Sequence, residues 1–250
     1  MSSPILELDN VSVSFEGFYA LTDLSFSLEQ GELRSIIGPN GAGKTTFLDV
    51  ITGKVRPTKG NVKLRGTSIV GLPEHKVARL GIGRKFQTPS VFEHLTVQRN
   101  LELAASPNKK AYSLLFESLK PSVKDEVHRI LEYVGLAPVA KLQAGALSHG
   151  QKQWLSISML VAQSPDIILL DEPVAGLTDE ETAKTAELIK SLAGDHTVVV
   201  IEHDMEFIRD LAAPVTVLHQ GQKLTEGSLD MVKQDPRVVE VYLGQESDGH

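Results

Sequence analysis

The 250-residue chain contains no cysteine. That excludes disulfides, iron–sulfur clusters and thiolate zinc sites, and it fits a reducing compartment. No stretch approaches the ~20 unbroken apolar residues that a spanning helix requires. Positive charge is in short supply, with 25 Lys and Arg against 32 Asp and Glu and a net charge of -7. A broad electrostatic grip on nucleic acid or anionic lipid is therefore not expected. The opening Met-Ser-Ser-Pro has neither the basic patch nor the apolar segment of a secretory signal, so the chain is expected to stay where it is made. What remains is an ordinary globular composition, 41% hydrophobic and 23% charged. It can bury one core with a smaller attached subdomain, but hardly two independent enzymes.

Residues 5–15 (ILELDNVSVSF) and 21–32 (LTDLSFSLEQGE) alternate apolar and polar side chains, as half-buried strands of an antiparallel edge sheet would. Residues 166–172 (DIILLDE) and 196–204 (HTVVVIEHD) are instead continuously apolar, which a strand covered on both faces demands. Each run ends in charged residues. Ligands of open parallel sheets bind at the carboxyl ends of the strands. If these strands are neighbours, Asp171, Glu172, Glu202, His203 and Asp204 share one rim with the glycine loop that follows residues 33–37 (LRSII). Residues 88 to about 154 read as a helical insertion. Within it Val123, Val127, Ile130, Leu131 and Val134 form one apolar stripe that stops at Gly135. Near the end, VVEVYLG followed by QESDGH suggests a docked helix and then a frayed polar tail.

Gly38, Pro39, Asn40, Gly41, Ala42, Gly43, Lys44 and Thr45, followed by Thr46, satisfy G-x-x-x-x-G-K-[ST] between a strand and a helix whose Phe47, Leu48 and Ile51 are apolar. Glycines let successive backbone N–H groups turn inward with no side chain in the way of a phosphate, and the following helix adds its positive end. Lys44 would reach the β and γ phosphates of a nucleoside triphosphate, and the Thr45 hydroxyl would hold Mg²⁺. Standing alone, such a loop could be only a flexible turn. The flanking strand, the helix and the later acidic pair favour phosphate binding.

Asp171 follows four apolar residues, as a strand-end Mg²⁺ ligand should. Successive residues on an extended strand point oppositely, so Glu172 is expected to serve a different purpose, polarising the water that attacks the γ-phosphate. A solvated strand-end pair is the bland alternative. His203 lacks a second His or Cys at ligand spacing, which argues against a metal site. At the ligand rim its imidazole can donate to the γ-phosphate.

Leu147-Ser148-His149-Gly150-Gln151 closely resembles the Leu-Ser-Gly-Gly-Gln signature of ATP-binding cassette (ABC) ATPases. Ser148-x-x-Gln151 is also a capping-box pattern, so Ser148 can cap a helix whose positive end faces an anion. The resemblance runs from about residue 4 to 244. It implies an α/β fold: a P-loop NTPase core of the RecA-like kind, an N-terminal antiparallel β-subdomain and a helical subdomain. The corresponding division is 4–87 with 155–227 for the core, 88–154 for the helical part, and 228–250 for a C-terminal helix and tail.

The same resemblance implies that Ser148, His149, Gly150 and Gln151 meet the ATP held by a second cassette in a head-to-tail pair. It gives Phe15 the adenine-stacking place, with Phe18 or Tyr19 as substitutes. Gln87 resembles the glutamine that contacts Mg²⁺ and the attacking water, Glu172 the catalytic base and His203 the switch histidine. ATP and Mg²⁺ follow as cofactors. Two positions depart from the pattern. His149 replaces a glycine, which makes the approach to the partner's nucleotide bulkier and open to protonation. Thr178 stands where an Asp is usual, with Asp179 one residue later, and either could cross the dimer interface.

Within that family, residues 81–97, 147–155, 171–181, 201–208 and 241–244 look most like ATPase subunits of branched-chain amino-acid and amide importers, with the urea transporter's subunit nearest. The resemblance therefore implies uptake of urea or short amides first and branched-chain amino acids second. It implies an identical or related second cassette, two permease subunits, an indirect link to a solute-binding receptor, no nucleic acid, and a peripheral place on the cytoplasmic face of the membrane. A soluble ATP-gated clamp is disfavoured by the single cassette and the acidic charge. A P-loop phosphotransferase has no use for the signature segment.

Overall fold

The computed structural model describes residues 3–85, 87–106 and 121–247. Two sheets make its centre. β1 (Leu6–Phe15), β2 (Phe18–Leu28), β4 (Lys59–Leu64) and β5 (Thr67–Ser68) form an antiparallel sheet in the order β2-β1-β4-β5. β3 (Leu33–Ile37), β6 (Ile82–Lys85), β7 (Ile167–Asp171), β8 (Thr197–Ile201), β9 (Val215–His219) and β10 (Gln222–Gly227) form the second, ordered β10-β9-β3-β8-β7-β6. All its pairings are parallel except β9 with β10.

The apolar runs of β7 and β8 are explained by what each face touches. Ile167, Leu169, Val199 and Ile201 pack into the core between the two sheets, which also takes in Phe47, Leu48 and Ile51 of α1 (Lys44–Ile51). Ile168, Leu170, Val198 and Val200 point the other way. They meet α6 (Asp179–Leu192) and α7 (Met205–Leu211). Alternate side chains of a strand leave on opposite faces, so both sets must be apolar, and each fully buried one contributes about 1.5–3 kcal/mol. Between β5 and β6 lies the short α2 (Glu74–Arg79).

A separate apolar cluster holds the helical part together. α3 (Val97–Ala104) starts at Thr96, whose side chain accepts from Arg99 N–H at 3.1 Å. α4 (Pro121–Tyr133) buries Val127, Ile130 and Leu131, and the chain leaves it through Gly135 at φ 70. Val123 and Val134 pack partly against the same cluster, as their stripe predicts. α5 (His149–Val161) contributes Leu155.

The expected boundary between residues 154 and 155 falls inside an unbroken helix running from 149 to 161. One face of it, with Leu155 and Met159, belongs to the helical cluster, while Ile157 and Leu160 face the sheet, Leu160 packing against Gly83 of β6. After α8 (Leu229–Gln234), α9 (Pro236–Ser247) docks through Val238 and Tyr242. It includes Gln245, Glu246 and Ser247, which the sequence places in a frayed tail, and only 248–250 of that tail lie outside the described residues.

Phe47 is fully buried, and its ring meets Phe26 edge-on with centroids 5.1 Å apart. Phe47→Ala is expected to cost about 3–5 kcal/mol, read as a lower urea midpoint, whereas an unchanged midpoint would show that the two sheets do not depend on α1 for their packing.

Candidate active site

Register brings the charged strand ends to one level. Asp171 pairs with Ile201, and Ile36 of β3 pairs with the same Ile201. Lys85, the last residue of β6, pairs with Leu170. The neighbour relation that sequence leaves open is therefore present, with the glycine loop, Asp171, Glu172, Glu202 and Gln87 all following directly from those ends.

The loop shapes a cleft of about 360 Å³, lined by Phe15, Phe18, Pro39, Asn40, Gly41, Ala42, Gly43, Lys44, Thr45, Thr46, Asp171 and Glu172. Gly43 is the N-cap of α1 at φ 98 and supplies no side-chain cap, so the first-turn N–H groups of the helix remain for a ligand. A Cβ on Gly43 would lie 2.7 Å from the Ala20 carbonyl and 2.9 Å from Leu21. A Cβ on Gly41 would enter open space. The donors and the shape fit a triphosphate. Lys44 donates to the Gly38 and Pro39 carbonyls, the latter at 3.0 Å. Burial pulls its pKa down, opposed by the nearby charges of Glu172 and Asp171. Of the three candidate adenine platforms, Phe15 and Phe18 line this cleft, while Tyr19 lines the adjoining one together with Phe18. A larger cavity of about 830 Å³ beside Tyr133, Trp154 and Lys190 contains none of these groups.

Glu172 is not placed by strand alternation as expected. β7 ends at Asp171, and Glu172 has left-handed backbone angles, φ 45. For a residue with a Cβ this costs about 1–2 kcal/mol, and such strain persists where surrounding contacts fix it. Those contacts are visible. Glu172 N–H donates to the Ile201 carbonyl at 2.9 Å. Its carboxylate accepts from Gln87 Nε2 at 2.6 Å and lies 3.6 Å from His203 Nδ1. Gln87 and His203 thus converge on Glu172, although neither lines the cleft. The Gln87 carbonyl in turn accepts from Gln153 of α5 at 3.3 Å.

Three charged residues at this rim hold the site, of which the sequence placed Glu202 at the rim and gave Arg84 and Lys85 no role. Arg84, with its side chain 5% exposed, bridges Asp49 of α1 at 2.5 Å and Asp171 at 2.9 Å. Lys85 is buried, and burial lowers its pKa to about 8 against the opposing charges of Asp171 and Glu202. Glu202 is 2% exposed; burial raises its pKa, countered by hydrogen bonds from Val174 and His203 N–H groups. For Arg84 and Lys85 the only hint in the sequence is their position just before Gln87. Asp204, the remaining rim carboxylate, caps α7 by accepting from Glu206 and Phe207 N–H groups at 2.9 and 3.1 Å.

The signature segment starts α5 as its pattern predicts. Ser148 Oγ accepts from Gln151 N–H at 3.2 Å, and Gln151 Oε1 accepts from Ser148 N–H at 3.0 Å. His149 Nε2 lies 3.2 Å from the Ala175 carbonyl, so the substituted residue leans on the loop after Glu172. Gly150 packs against the Glu181 side chain, where a Cβ would not fit without displacing it. Thr178 is occupied as the N-cap of α6 in a second capping box with Glu181, while Asp179 is exposed in the first turn. Among the described residues no cluster of three or more His, Cys, Asp or Glu could hold a metal. The oxygen donors Thr45 and Asp171, with the Gln87 amide, suit a hard cation that shares its shell with phosphate and water.

A family model described as ABC transporter matches residues 21–175, and one described as branched-chain amino acid ATP-binding cassette transporter matches 222–248. The high-affinity branched-chain amino acid transport ATP-binding protein BraF of Pseudomonas aeruginosa is 36% identical over 254 residues, covering 98% of this chain and 100% of that protein. The crystal structure of the ADP conformation of an ATP-binding cassette superposes with a TM-score of 0.83 at 30% identity, over 97% of this chain and 99% of that one. A dimeric post-hydrolysis cassette bound to ADP and phosphate gives 0.74 at 28%, over 90% and 98%. These comparisons support the branched-chain alternative and lend nothing to the nearer likeness to a urea transporter.

Arg84→Met removes the cation that Asp49 and Asp171 share and leaves Asp49 only the more exposed Lys54 at 3.3 Å. It is expected to cost about 3 kcal/mol, partly recovered in Arg84→Met/Asp49→Asn; equal urea midpoints for wild type and Arg84→Met would show that the bridge does not hold the site.

Proposed function

The chain belongs to the ABC transporter family as an ATPase subunit of the branched-chain amino acid importer type, and from that membership we propose that it powers uptake of branched-chain amino acids. The observation that carries the solute class is the match of residues 222–248 to the branched-chain model, joined to end-to-end similarity with a branched-chain transport protein. Two copies, or this chain and a related cassette, pair head to tail. ATP lies between the Gly38–Thr46 loop of one and the Ser148–Gln151 helix start of the other, with Phe15 against adenine. Thr45, Asp171 and Gln87 would hold Mg²⁺, which offsets phosphate charge when bound. Lys44 exchanges its bonds to the Gly38 and Pro39 carbonyls for phosphate oxygens.

Glu172 accepts a proton from the attacking water as general base. Gln87 and His203 orient its carboxylate from two sides. Asp179, exposed at the start of α6, is the better placed of the two candidates to reach the partner, because Thr178 is engaged in its cap. ATP binds the closed pair more tightly than the open one, and only that difference can drive motion. Closure moves the helical part, and two permeases docked near residues 87–97 follow it, with a solute receptor beyond them. Among the described residues no helix is long and apolar enough to cross a membrane. A peripheral place on the cytoplasmic face, through these permeases, accords with that.

Glu172→Gln is expected to keep ATP binding and lose turnover by about 100-fold; activity above half of wild type would remove the base assignment. Pull-down of the tagged chain from detergent-solubilised membranes is expected to bring two hydrophobic permeases. Reconstituted with them and their receptor, it should drive ATP-dependent uptake of leucine, isoleucine or valine. Uptake of urea with none of these would overturn the solute class, and recovery of no permease would overturn transport.

A further inference from the structure

Glu202 directly follows β8 as a carboxylate with almost no access to solvent. Such a group needs its oxygens satisfied, and both are. Oε1 accepts from Val174 N–H at 3.2 Å, and Oε2 accepts from His203 N–H at 3.1 Å. Val174 lies two residues beyond the left-handed Glu172, in the turn that carries the chain away from β7. His203 is the residue whose ring approaches the Glu172 carboxylate. One buried side chain therefore grips the backbone behind each of the two groups that meet over the rim. The His203 ring itself is 70% exposed, with Nδ1 3.8 Å from Glu202 Oε2, so little else on its own strand end fixes its direction.

We propose that Glu202 is a positioning residue for hydrolysis: its carboxylate clamps the turn after Glu172 to the backbone of His203, so that carboxylate and imidazole are presented as a pair. The proposal deepens the assignment of Glu172 and His203 made above and rests on it. Glu202 is not among the residues that line the cleft of the glycine loop. Its effect passes through the angle at which two other side chains enter the site. A shape-conserving amide cannot replace it, because Gln offers one acceptor oxygen to two converging N–H donors and sets its own NH₂ against the other. Asp retains the charge but is one methylene too short to reach both.

The test uses the full chain, measuring ATP affinity and ATPase turnover separately, with circular dichroism and thermal midpoints as a check on folding. Glu202→Gln is expected to lower kcat about 10-fold or more while the Kd for ATP stays within about twofold. Glu202→Asp should do the same and serves if the Gln variant does not fold. In a His203→Ala background, Glu202→Gln should lower kcat further by clearly less than it does in the wild type, since one of the two groups it positions has gone. Wild-type kcat in both Glu202 variants would overturn the proposal. So would a loss of ATP affinity and thermal midpoint in step with kcat, or a full additional loss in the His203→Ala background. Glu172→Gln assayed alongside separates this from the base assignment: high activity there removes the base, whereas the Glu202 variants report the clamp.

Discussion

Strands β7 and β8 have no solvent face, and this constraint organises the rest of the molecule. With one set of alternate side chains buried between the sheets and the other beneath α6 and α7, a charged side chain along either strand would be taken out of water at a heavy cost. Charge can enter only where the strands stop. Parallel register makes them stop together, so Asp171, Glu172, Glu202 and His203 gather at the level where β3 delivers the phosphate loop. The site is thus a product of the core's intolerance of polarity as much as of the residues that do the chemistry.

Crowding several carboxylates at one rim raises a second problem, which the structure meets with buried cations and backbone donors. Arg84 takes one oxygen of Asp171 and ties it to the helix of the phosphate loop. Lys85 sits under Asp171 and Glu202 at the cost of a depressed pKa. Glu202 is held by two N–H groups. Glu172 meets the Gln87 amide and an exposed imidazole, with the Lys44 charge nearby.

Much of this was legible in the sequence because the strongest signals there are local. The loop from Gly38 to Thr46, the Ser148 capping box, the unbroken apolar strands and the Val123–Val134 stripe each state a conformation within a few residues. What was not legible depends on contacts between distant segments. Arg84 reads as an ordinary strand-end cation until Asp49 and Asp171 are seen on either side of it. The strand rule that separates Asp171 from Glu172 presumes an extended backbone, and the left-handed turn at Glu172 is invisible to a periodicity argument. A boundary after residue 154 lies within one helix whose faces serve two clusters at once, an arrangement set by contacts with distant segments. The solute preference read from short motif segments gave way to similarity along the whole chain.

The two helices that begin near this rim are not independent. Glu181 completes the box at the start of α6, faces the Ser148 hydroxyl at 3.4 Å, and fills the space left by the missing side chain of Gly150. Any bulk introduced at 150 would have to push that carboxylate aside, so an alteration aimed at the outward-facing surface would also be felt at the start of a neighbouring helix inside the same subunit.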